Sequence, residues 1–443
     1  MWKSIWNKFR ILAFFGMLLV GIPVFGQAYG SMTPYSIFGV GDMAAPGTAY
    51  NKTMGGVGIA GRTNRHINVL NPASVTARDS LSVLMDFSLY EDNKIFSQTG
   101  RRSDASNTFN IGSCILSFPI WRSSAMMVGI MPYSDTGYGY AFANTDPRII
   151  GNVGDVTYSA NGSGSLYQVF AGGGVTFWKR LSLGAEFIFL FGDIEKQYTQ
   201  TFSDASYNGI LSGYSIKATS CTGKFGLQYE QPIGTKASVT VGGTYRMGSV
   251  LGGEFASYKF ANGSAAKDTL DYRTGYRHDI RLAAEIGVGI SFRYGDKFMA
   301  EFDYTRSDWR NSGFDDHPGF MGNALQSSSA SKFTSTWSES YRAGFEYVPN
   351  RNDVRYFFRK VAYRAGGYYK REYFLLDGNP VQAYGITLGA TIPVFRWYNG
   401  LTVGFEFGQR GSLRQAAQVQ ETCFNLSFGV NLFDIWFKKL KYE

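Results

Sequence analysis

Apolar and polar residues alternate along most of the chain, from Leu81 to Leu432, in runs of about ten residues. Fourteen such runs can be placed, at residues 81–91, 108–119, 125–133, 165–178, 181–192, 215–230, 237–248, 278–294, 297–306, 334–348, 360–370, 382–393, 401–410 and 422–432. A tilted strand needs about 9–11 residues to cross the hydrocarbon of a membrane. The pattern therefore predicts fourteen membrane-spanning strands.

The connections between these runs alternate in length, starting with a long one. The short ones lie at residues 120–124, 179–180, 231–236, 295–296, 349–359 and 394–400. An outer-membrane barrel with an even number of strands has short periplasmic turns and longer outer loops. A soluble β-sandwich has no reason to alternate in this way. We therefore predict an all-β transmembrane antiparallel barrel of about 14 strands in the outer membrane, with both termini in the periplasm.

One face of each run is apolar and uncharged. The last run places Phe424, Leu426 and Phe428 on one face, and the eighth does the same with the apolar residues from Ile280 to Phe292. An Arg on the lipid face at mid-depth costs about 2–4 kcal/mol. We therefore expect this face to contact lipid and the opposite face to line the lumen.

Charged residues fall on the predicted lumen face. The predicted lumen charges are Glu186, Arg246, Glu285, Glu301, Arg342, Glu346, Arg364 and Glu406, with Asp303 at the same parity. One interpretation is a structural network that ties an inner segment to the wall, and the other is a polar relay or selectivity filter. Ile188, Leu190 and Met299 also point inward, so we expect a partly apolar lumen.

Residues 27–78 show no sustained period. This region is rich in glycine and contains Pro34 and Pro46, which argues against a membrane-length strand or a stable helix. It is also too apolar for a free tail. We therefore predict that residues 27–78 form a hatch inside a barrel of residues 79–434.

The two ends of the chain differ from the rest. Lys3, Lys8 and Arg10 precede an apolar stretch at residues 11–24, which predicts a secretory signal peptide at residues 1–26. No later window of 18 apolar residues exists, which argues against a helical membrane protein. Residues 435–443 are basic and predict a periplasmic tail.

The composition narrows the function further. The chain has 54 Gly, 36 Phe and 29 Tyr but only three His, a usage that suits a membrane barrel. The formal charge of +9 fits solvated rims, and an exported chain is not expected to bind nucleic acid. No catalytic frame, metal-ligand spacing or cofactor motif stands out. Residues 56–61 match GxGxxG without a preceding strand, so we interpret these glycines as permitting tight turns.

Several stretches resemble the FadL family of outer-membrane transporters. They are Tyr35-Ser36-Ile37-Phe38-Gly39-Val40-Gly41-Asp42, Met54-Gly55-Gly56 and Asn71-Pro72-Ala73. In that family an Asn-Pro-Ala triplet closes the hatch just before the first strand. Residues 344–350, 363–366, 404–411 and 434–439 look like the Bacteroidota branch of the family. The resemblance assigns Gly55, Gly56, Asn71, Pro72 and Ala73 to the hatch.

The resemblance also implies a function. It implies passive uptake of long-chain fatty acids or other hydrophobic molecules, without a cofactor, and exit through a gap at a kink in the third strand. Gly129 and Pro132 are the candidate gap residues, although Pro132 could simply end that strand.

Other functions remain open. The main alternative is a non-transporting structural barrel in an outer-membrane protein assembly or secretion complex, whose partners would be other envelope proteins as well as lipid. A general porin is less favoured, because it would not need a hatch. A transporter needs a continuous apolar pocket open to the outside, whereas a scaffold can be blocked by charge pairs and loops.

Overall fold

The computed structural model describes residues 30–79, 81–121, 123–144, 147–204, 206–262, 267–322, 332–394, 399–415 and 417–436. The predicted signal peptide at residues 1–26 lies outside these ranges, as do residues 437–443 of the predicted basic tail. In the described part of the chain, no helix combines the length and apolar character needed to cross a membrane.

Within the described residues, fourteen long antiparallel strands form a closed barrel. They are β1 (Ser82–Ser97), β2 (Asp104–Trp121), β3 (Ser124–Ala143), β4 (Val156–Phe177), β5 (Leu181–Phe202), β6 (Gly209–Ile233), β7 (Ala237–Arg246), β8 (Glu285–Tyr294), β9 (Phe298–Asp308), β10 (Trp337–Tyr347), β11 (Ala362–Leu376), β12 (Asn379–Pro393), β13 (Gly400–Arg410) and β14 (Gln420–Ile435). Each strand pairs with the next, and β14 closes the ring by pairing with β1. The predicted fold class and strand number are therefore confirmed.

Shorter elements lie at the two ends and inside. We call the end with the short connections the turn end and the opposite end the loop end. The connections contain helices Pro147–Val153 and Pro318–Met321, 3-10 turns Phe314–Asp316 and Phe357–Lys360, and short strands Ser249–Val250, Arg281–Leu282 and Phe333–Ser335. A hairpin of strands Gly252–Asn262 and Lys267–Arg277 extends the wall at the loop end, because its first strand pairs with β6.

The strands continue beyond their predicted limits at the loop end. β4 begins at Val156 instead of residue 165, and β5 runs to Phe202 instead of residue 192. The long connections are correspondingly shorter than the sequence pattern suggested. Backbone pairing can continue outside the hydrocarbon, where the outward face no longer has to be apolar, so the alternation underestimates the ladder.

The predicted eighth strand is wrong over its first seven residues, 278–284. Regular pairing starts only at Glu285, while Ile280 and Leu282 are buried in the interior cluster instead of facing lipid. The backbone turns inward here, since Leu251 N–H donates to the Ile280 carbonyl at 2.9 Å and Arg281 N–H donates to the Ser312 carbonyl at 2.8 Å. Alternation alone does not distinguish an interior apolar face from a lipid-facing one.

An apolar belt surrounds the outside of the barrel. Ile286, Val288 and Ile290 of β8, for example, are all exposed on the outward face. At the loop end the belt stops at a row of charged residues paired across neighbouring strands, namely Asp193, Lys217 and Glu254. At the turn end exposed tryptophans follow, at Trp121 and Trp178. The belt and its aromatic rim are typical of a membrane-spanning barrel.

Candidate functional site

The segment before β1, residues 30–79, lies inside the barrel, and we call it the N-terminal segment. It contains 3-10 turns Pro34–Ile37 and Pro72–Ala77, helix Ala49–Lys52 and the two-residue strand Asp42–Met43. Most of its side chains from residue 31 to residue 75 are buried. Because it is too short to form a core of its own, this burial comes from the wall around it.

Glycines on the inner face make room for this segment. A Cβ atom built at Gly242 would lie 2.2 Å from the Ile59 carbonyl oxygen, and one at Gly366 would lie 2.3 Å from the Met54 carbonyl carbon. The wall glycines that approach the segment in this way include Gly174, Gly184, Gly226, Gly242, Gly287, Gly289, Gly344, Gly366, Gly389, Gly404 and Gly429. They belong to β4, β5, β6, β7, β8, β10, β11, β12, β13 and β14, so the wall surrounds the segment on most sides.

The GxGxxG stretch of the segment binds two wall carboxylates. Gly58 and Ile59 N–H groups donate to Asp303 Oδ2 at 2.7 and 2.9 Å, and Ala60 N–H donates to Glu301 Oε1 at 2.9 Å. Successive backbone N–H groups that converge in this way form an anion-binding concavity. The motif therefore binds the protein's own carboxylates, which also explains why Asp303 and Glu301 are tolerated in the lumen.

The Asn-Pro-Ala triplet ties the segment to β6. Asn71 Oδ1 accepts the Ala73 N–H at 3.0 Å and so caps the 3-10 turn that begins at Pro72. Asn71 Nδ2 donates to the Ile59 carbonyl at 2.7 Å and to the Leu227 carbonyl at 3.2 Å. The triplet thus fixes both the end of the segment and its place on the wall.

Gly55 and Gly56 form a second attachment. Both have positive φ, of 71° and 79°, which favours glycine at these positions. Gly55 N–H donates to Thr387 Oγ1 at 2.8 Å, and its carbonyl accepts Arg342 Nη1 at 2.9 Å. A Cβ atom at Gly56 would lie 2.7 Å from the same Arg342 nitrogen. Arg342, a predicted lumen charge, therefore contacts the N-terminal segment directly.

Two further predicted charges meet beneath a histidine of the segment. Arg364 Nε donates to Glu346 Oε2 at 2.8 Å, and Arg364 Nη2 lies 3.3 Å from His66 Nε2. His66 stacks on Tyr50 with ring centroids 4.4 Å apart, and Arg364 lies over the same Tyr50 ring at 4.5 Å. Burial, and then the Arg364 charge, hold the pKa of His66 well below its usual value. The imidazole is therefore neutral where the segment is seated.

A third charge cluster, at the loop-end side, was not predicted as a site. Arg410 Nη1 donates to Asp42 Oδ1 at 2.6 Å, Arg410 Nη2 lies 2.7 Å from Glu421 Oε2, and Lys94 Nζ lies 3.5 Å from Asp42 Oδ2. Burial raises the pKa of Asp42, but the Arg410 and Lys94 charges outweigh it and place that pKa well below its usual range. Lys94 and Glu421 lie in predicted loops, and the alternation of a strand does not predict which way a loop residue points.

The remaining predicted charges line a cavity of about 380 Å³ between the segment and the wall. Arg246 Nη2 lies 3.8 Å from Glu285 Oε2, and Glu406 Oε1 accepts the Tyr368 hydroxyl at 2.5 Å. Glu186 Oε2 has no hydrogen-bond partner among the described residues. The eight predicted charges thus all point inward, and the contacts described above group most of them into separate pairs and attachments.

The loop end of the lumen is covered. Lys196 Nζ, which is buried, donates to the carbonyls of Ile37 at 2.7 Å, Gly319 at 2.8 Å and Gly39 at 3.2 Å. The N-terminal segment and the loop after β9 are therefore joined by one amine. Around this amine the rings of Phe38, Trp309, Phe314, Phe320, Phe333, Tyr373 and Phe374 pack together.

β2 and β3 separate at the predicted gap residues. Their ladder runs from Trp121↔Ser124 to Cys114↔Ile130 and includes Gly129, but it stops before Pro132. Beyond that point β3 pairs with the N-terminal segment, with Asp42 opposite Asp135. The segment thus occupies the position next to β3 that β2 leaves vacant.

Other chemistry is sparse. The described residues contain no group of three or more His, Cys, Asp or Glu side chains arranged to hold a metal ion. The cysteines Cys114, Cys221 and Cys423 are all free. What the site offers is a set of contacts that hold a segment inside a barrel.

A family model named BamG matches residues 7–443. The chain belongs to the BamG family. No curated protein matches it at the level of sequence.

Its fold is similar to those of several solved structures. A FadL homologue of Pseudomonas aeruginosa shares 12% identity, with 89% of this chain and 100% of that chain covered and a TM-score of 0.56. The toluene transporter TbuX of Ralstonia pickettii shares 12% identity, with 87% and 97% covered and a TM-score of 0.53. The CymD monoaromatic hydrocarbon channel shares 13% identity, with the same coverage and TM-score. The predicted FadL-type architecture is therefore confirmed at the level of the fold.

Proposed function

We propose that this BamG-family chain is an outer-membrane barrel that serves as a non-transporting structural subunit of a protein assembly or secretion complex in the envelope. In this proposal residues 1–26 direct export, residues 27–78 are a fixed hatch, and residues 79–434 are the barrel. Both termini lie in the periplasm, where the basic tail of residues 435–443 also lies, and the loop end faces the cell surface.

The observation that carries this proposal is the way the hatch is held. Gly58 N–H donates to Asp303 of the wall, and His66 contacts Arg364 of the wall. Asp42 forms a buried ion pair with Arg410. Breaking a buried ion pair by removing one partner costs about 3–5 kcal/mol. A hatch with several such attachments, seated against wall glycines and covered at the loop end, is suited to stay in place.

The lumen supports the same proposal. The cavity of about 380 Å³ is lined by Lys52, Asp135, Lys224, Arg246, Glu285 and other charged residues as well as by apolar ones. A hydrophobic solute that displaced the water around these charges would leave them unsolvated, which is unfavourable. The family name BamG also points toward an assembly complex.

The proposal predicts stable protein partners. The full-length chain, purified from its own membranes in mild detergent, is expected to bring down other envelope proteins in a fixed ratio. Depleting it is expected to lower the amount of other barrels in the outer membrane, while oleate and toluene uptake stay unchanged. Isolation of the chain without protein partners, together with a bound lipid-like molecule, contradicts the proposal.

A second candidate is passive uptake of hydrophobic molecules, long-chain fatty acids among them. The separation of β2 and β3 next to Gly129 and Pro132 favours it, because the resemblance to the FadL family implies a lateral exit at a kink in the third strand. Uptake of oleate and toluene into liposomes that contain the purified chain tests it. Uptake above that of protein-free liposomes supports the channel, and equal uptake rejects it.

A further inference from the structure

The hairpin at the loop end leaves one strand edge without a partner in the described part of the chain. Strand Gly252–Asn262 pairs on one side with β6 and on the other with Lys267–Arg277. Among the described residues, no other strand register includes Lys267–Arg277, and the nearby strand β8 pairs with β7 and β9 instead. In an antiparallel strand every second residue turns its N–H and C=O to the same side, so this edge presents a row of free backbone groups.

The edge lies outside the apolar belt. Glu254, at the base of the hairpin, belongs to the charged row that ends the belt, and its cross-strand neighbour is Tyr276. Tyr272 and Leu270 follow farther along the same strand, away from the membrane. All residues from Asp268 to Arg277 are exposed. The hydrocarbon of the membrane therefore does not cover the strand.

The two faces of this strand differ in character. Phe255 packs toward Phe320 in the interior, with ring centroids 6.0 Å apart. Gly275 lies opposite Phe255, so the side of the strand that carries Gly275 faces inward. The other parity carries Tyr272 and Tyr276, which are 58% and 72% exposed. Leu270, which is 53% exposed, is left unpaired at a register shift between Thr269 and Asp271. An exposed edge with apolar side chains at alternate positions is a template for another strand.

The features that normally protect an edge flank the stretch Asp271–Tyr276. On one side a register shift leaves Leu270 unpaired between Thr269 and Asp271. At the near end Arg277 lies 3.6 Å from Asp279 in an ion pair. The stretch between them contains no proline, and its charges Asp271 and Arg273 pair with each other at 3.1 Å. The edge is therefore regular and close to neutral, which favours an uncharged strand over an anionic lipid headgroup.

We propose that the edge Asp271–Tyr276 is a docking site for an extended segment of a different polypeptide, which adds to the hairpin as a further strand at the cell surface. Main-chain hydrogen bonds would hold the segment, and apolar side chains at its alternate positions would pack on Tyr272 and Tyr276. This inference rests on the proposed function, since it gives the subunit a contact surface.

Photo-crosslinking in living cells tests the proposal. A photoreactive amino acid is placed in the full-length chain at position 272, 274 or 276 of the edge, with positions 207 and 413 as controls. The residues there, Tyr207 in the connection between β5 and β6 and Leu413 in the connection between β13 and β14, are similarly exposed and belong to neither strand of the hairpin. The expected result is that the three edge positions crosslink to alternate residues of one short segment of one other protein. Edge yields equal to the control yields overturn the proposal, as do adducts only with lipid or with a second copy of this chain.

A substitution provides the second arm. Tyr272→Lys places a charge on the edge, as natural edge strands do to prevent pairing, and Tyr207→Lys is the matched control. The crosslink from position 276 is expected to fall at least tenfold in the first variant and to persist in the second, while both barrels keep heat-modifiable mobility on gels. An unchanged crosslink in Tyr272→Lys contradicts strand addition.

The two proposals can fail separately. If the edge crosslinks as expected but depletion of this chain leaves the assembly of other barrels normal, the docking site stands and the assembly role is rejected. If depletion impairs assembly but the edge gives no specific crosslink, the assembly role stands and the docking site is rejected.

Discussion

Gly242→Ala is the smallest change that should release the hatch. The added Cβ would lie 2.2 Å from the Ile59 oxygen and 3.0 Å from the Ala60 Cα, both backbone atoms, so a rotamer change cannot relieve the clash. Ordinary contact at such a position requires about 3.4–4 Å, so the hatch must move by roughly 1 Å or more. The next residue provides the control, because a Cβ at Gly243 would come no closer than 4.0 Å to any neighbour.

The displaced stretch is the one that binds the two carboxylates. Gly58, Ile59 and Ala60 donate three hydrogen bonds to Asp303 and Glu301. A hydrogen bond to a charged group is worth about 1.5–3 kcal/mol, so losing two of them costs roughly 3–6 kcal/mol. We expect Gly242→Ala to weaken the seating of the hatch by that amount and Gly243→Ala to have little effect.

Two measurements in matched samples check this prediction. Hydrogen exchange in detergent should show the Ala60 amide exchanging at least a hundredfold faster in Gly242→Ala than in Gly243→Ala. Cells with the first variant should also become more sensitive to large antibiotics such as vancomycin. If the Gly242 variant folds and matches the Gly243 variant in both measurements, the wall does not hold the hatch at this point.

Three other perturbations test separate parts of the structure. Deleting residues 31–70 should leave a folded but leaky barrel, seen as dye entry into cells, and unchanged permeability would contradict a hatch in that segment. Phe428→Arg on the lipid face should cost about 2–4 kcal/mol of folding free energy in bilayers, whereas Phe428→Leu should cost far less, and equal folding of the two would mean that the assigned parity is wrong. The unseated hatch should take up a proton on His66 below about pH 6.5 while the seated hatch does not, so its seating should weaken by about 2 kcal/mol by pH 5. The measurement is hydrogen exchange of the Ala60 amide as a function of pH. If its protection in the wild type does not depend on pH, or depends on pH equally in His66→Gln, protonation of His66 does not control the seating of the hatch.

The barrel itself could be predicted because two simple constraints act on every strand. Lipid excludes charge from one parity, and the alternation of short and long connections fixes the strand order. Neither constraint acts on residues 278–284, where Ile280 and Leu282 keep the same parity as Ile286 but face an interior cluster. An apolar environment made of protein selects the same residues as one made of lipid, so the inward turn could not be read from the pattern.

The candidate site was predictable by face but not by partner. Parity placed Glu301 and Arg364 in the lumen, yet it could not show that the first binds the Ala60 N–H and the second Glu346. Those pairings depend on strand register and on the path of an irregular segment. Lys196 lies in a stretch predicted as a loop, although the strand continues through it. Its side chain points inward at the same parity as Ile188 and Leu190, so a longer predicted strand would have placed Lys196 in the lumen.

The hatch and the gap in the wall are coupled through shared hydrogen bonds. Beyond Ile130, β3 has no ladder with β2, and its backbone pairs with the hatch, where Thr33 N–H donates to the Gly137 carbonyl at 2.8 Å and Ala44 N–H donates to the Tyr133 carbonyl at 3.0 Å. Withdrawing the hatch would therefore expose an unpaired edge of β3 as well as an open lumen. Unpaired backbone groups at membrane depth cost several kcal/mol each, so the wall opposes any movement of the hatch that does not bring a new partner for that edge. A transported solute offers no row of backbone donors and acceptors, whereas a strand from another protein does, and this difference is why the geometry favours a protein partner over a small molecule.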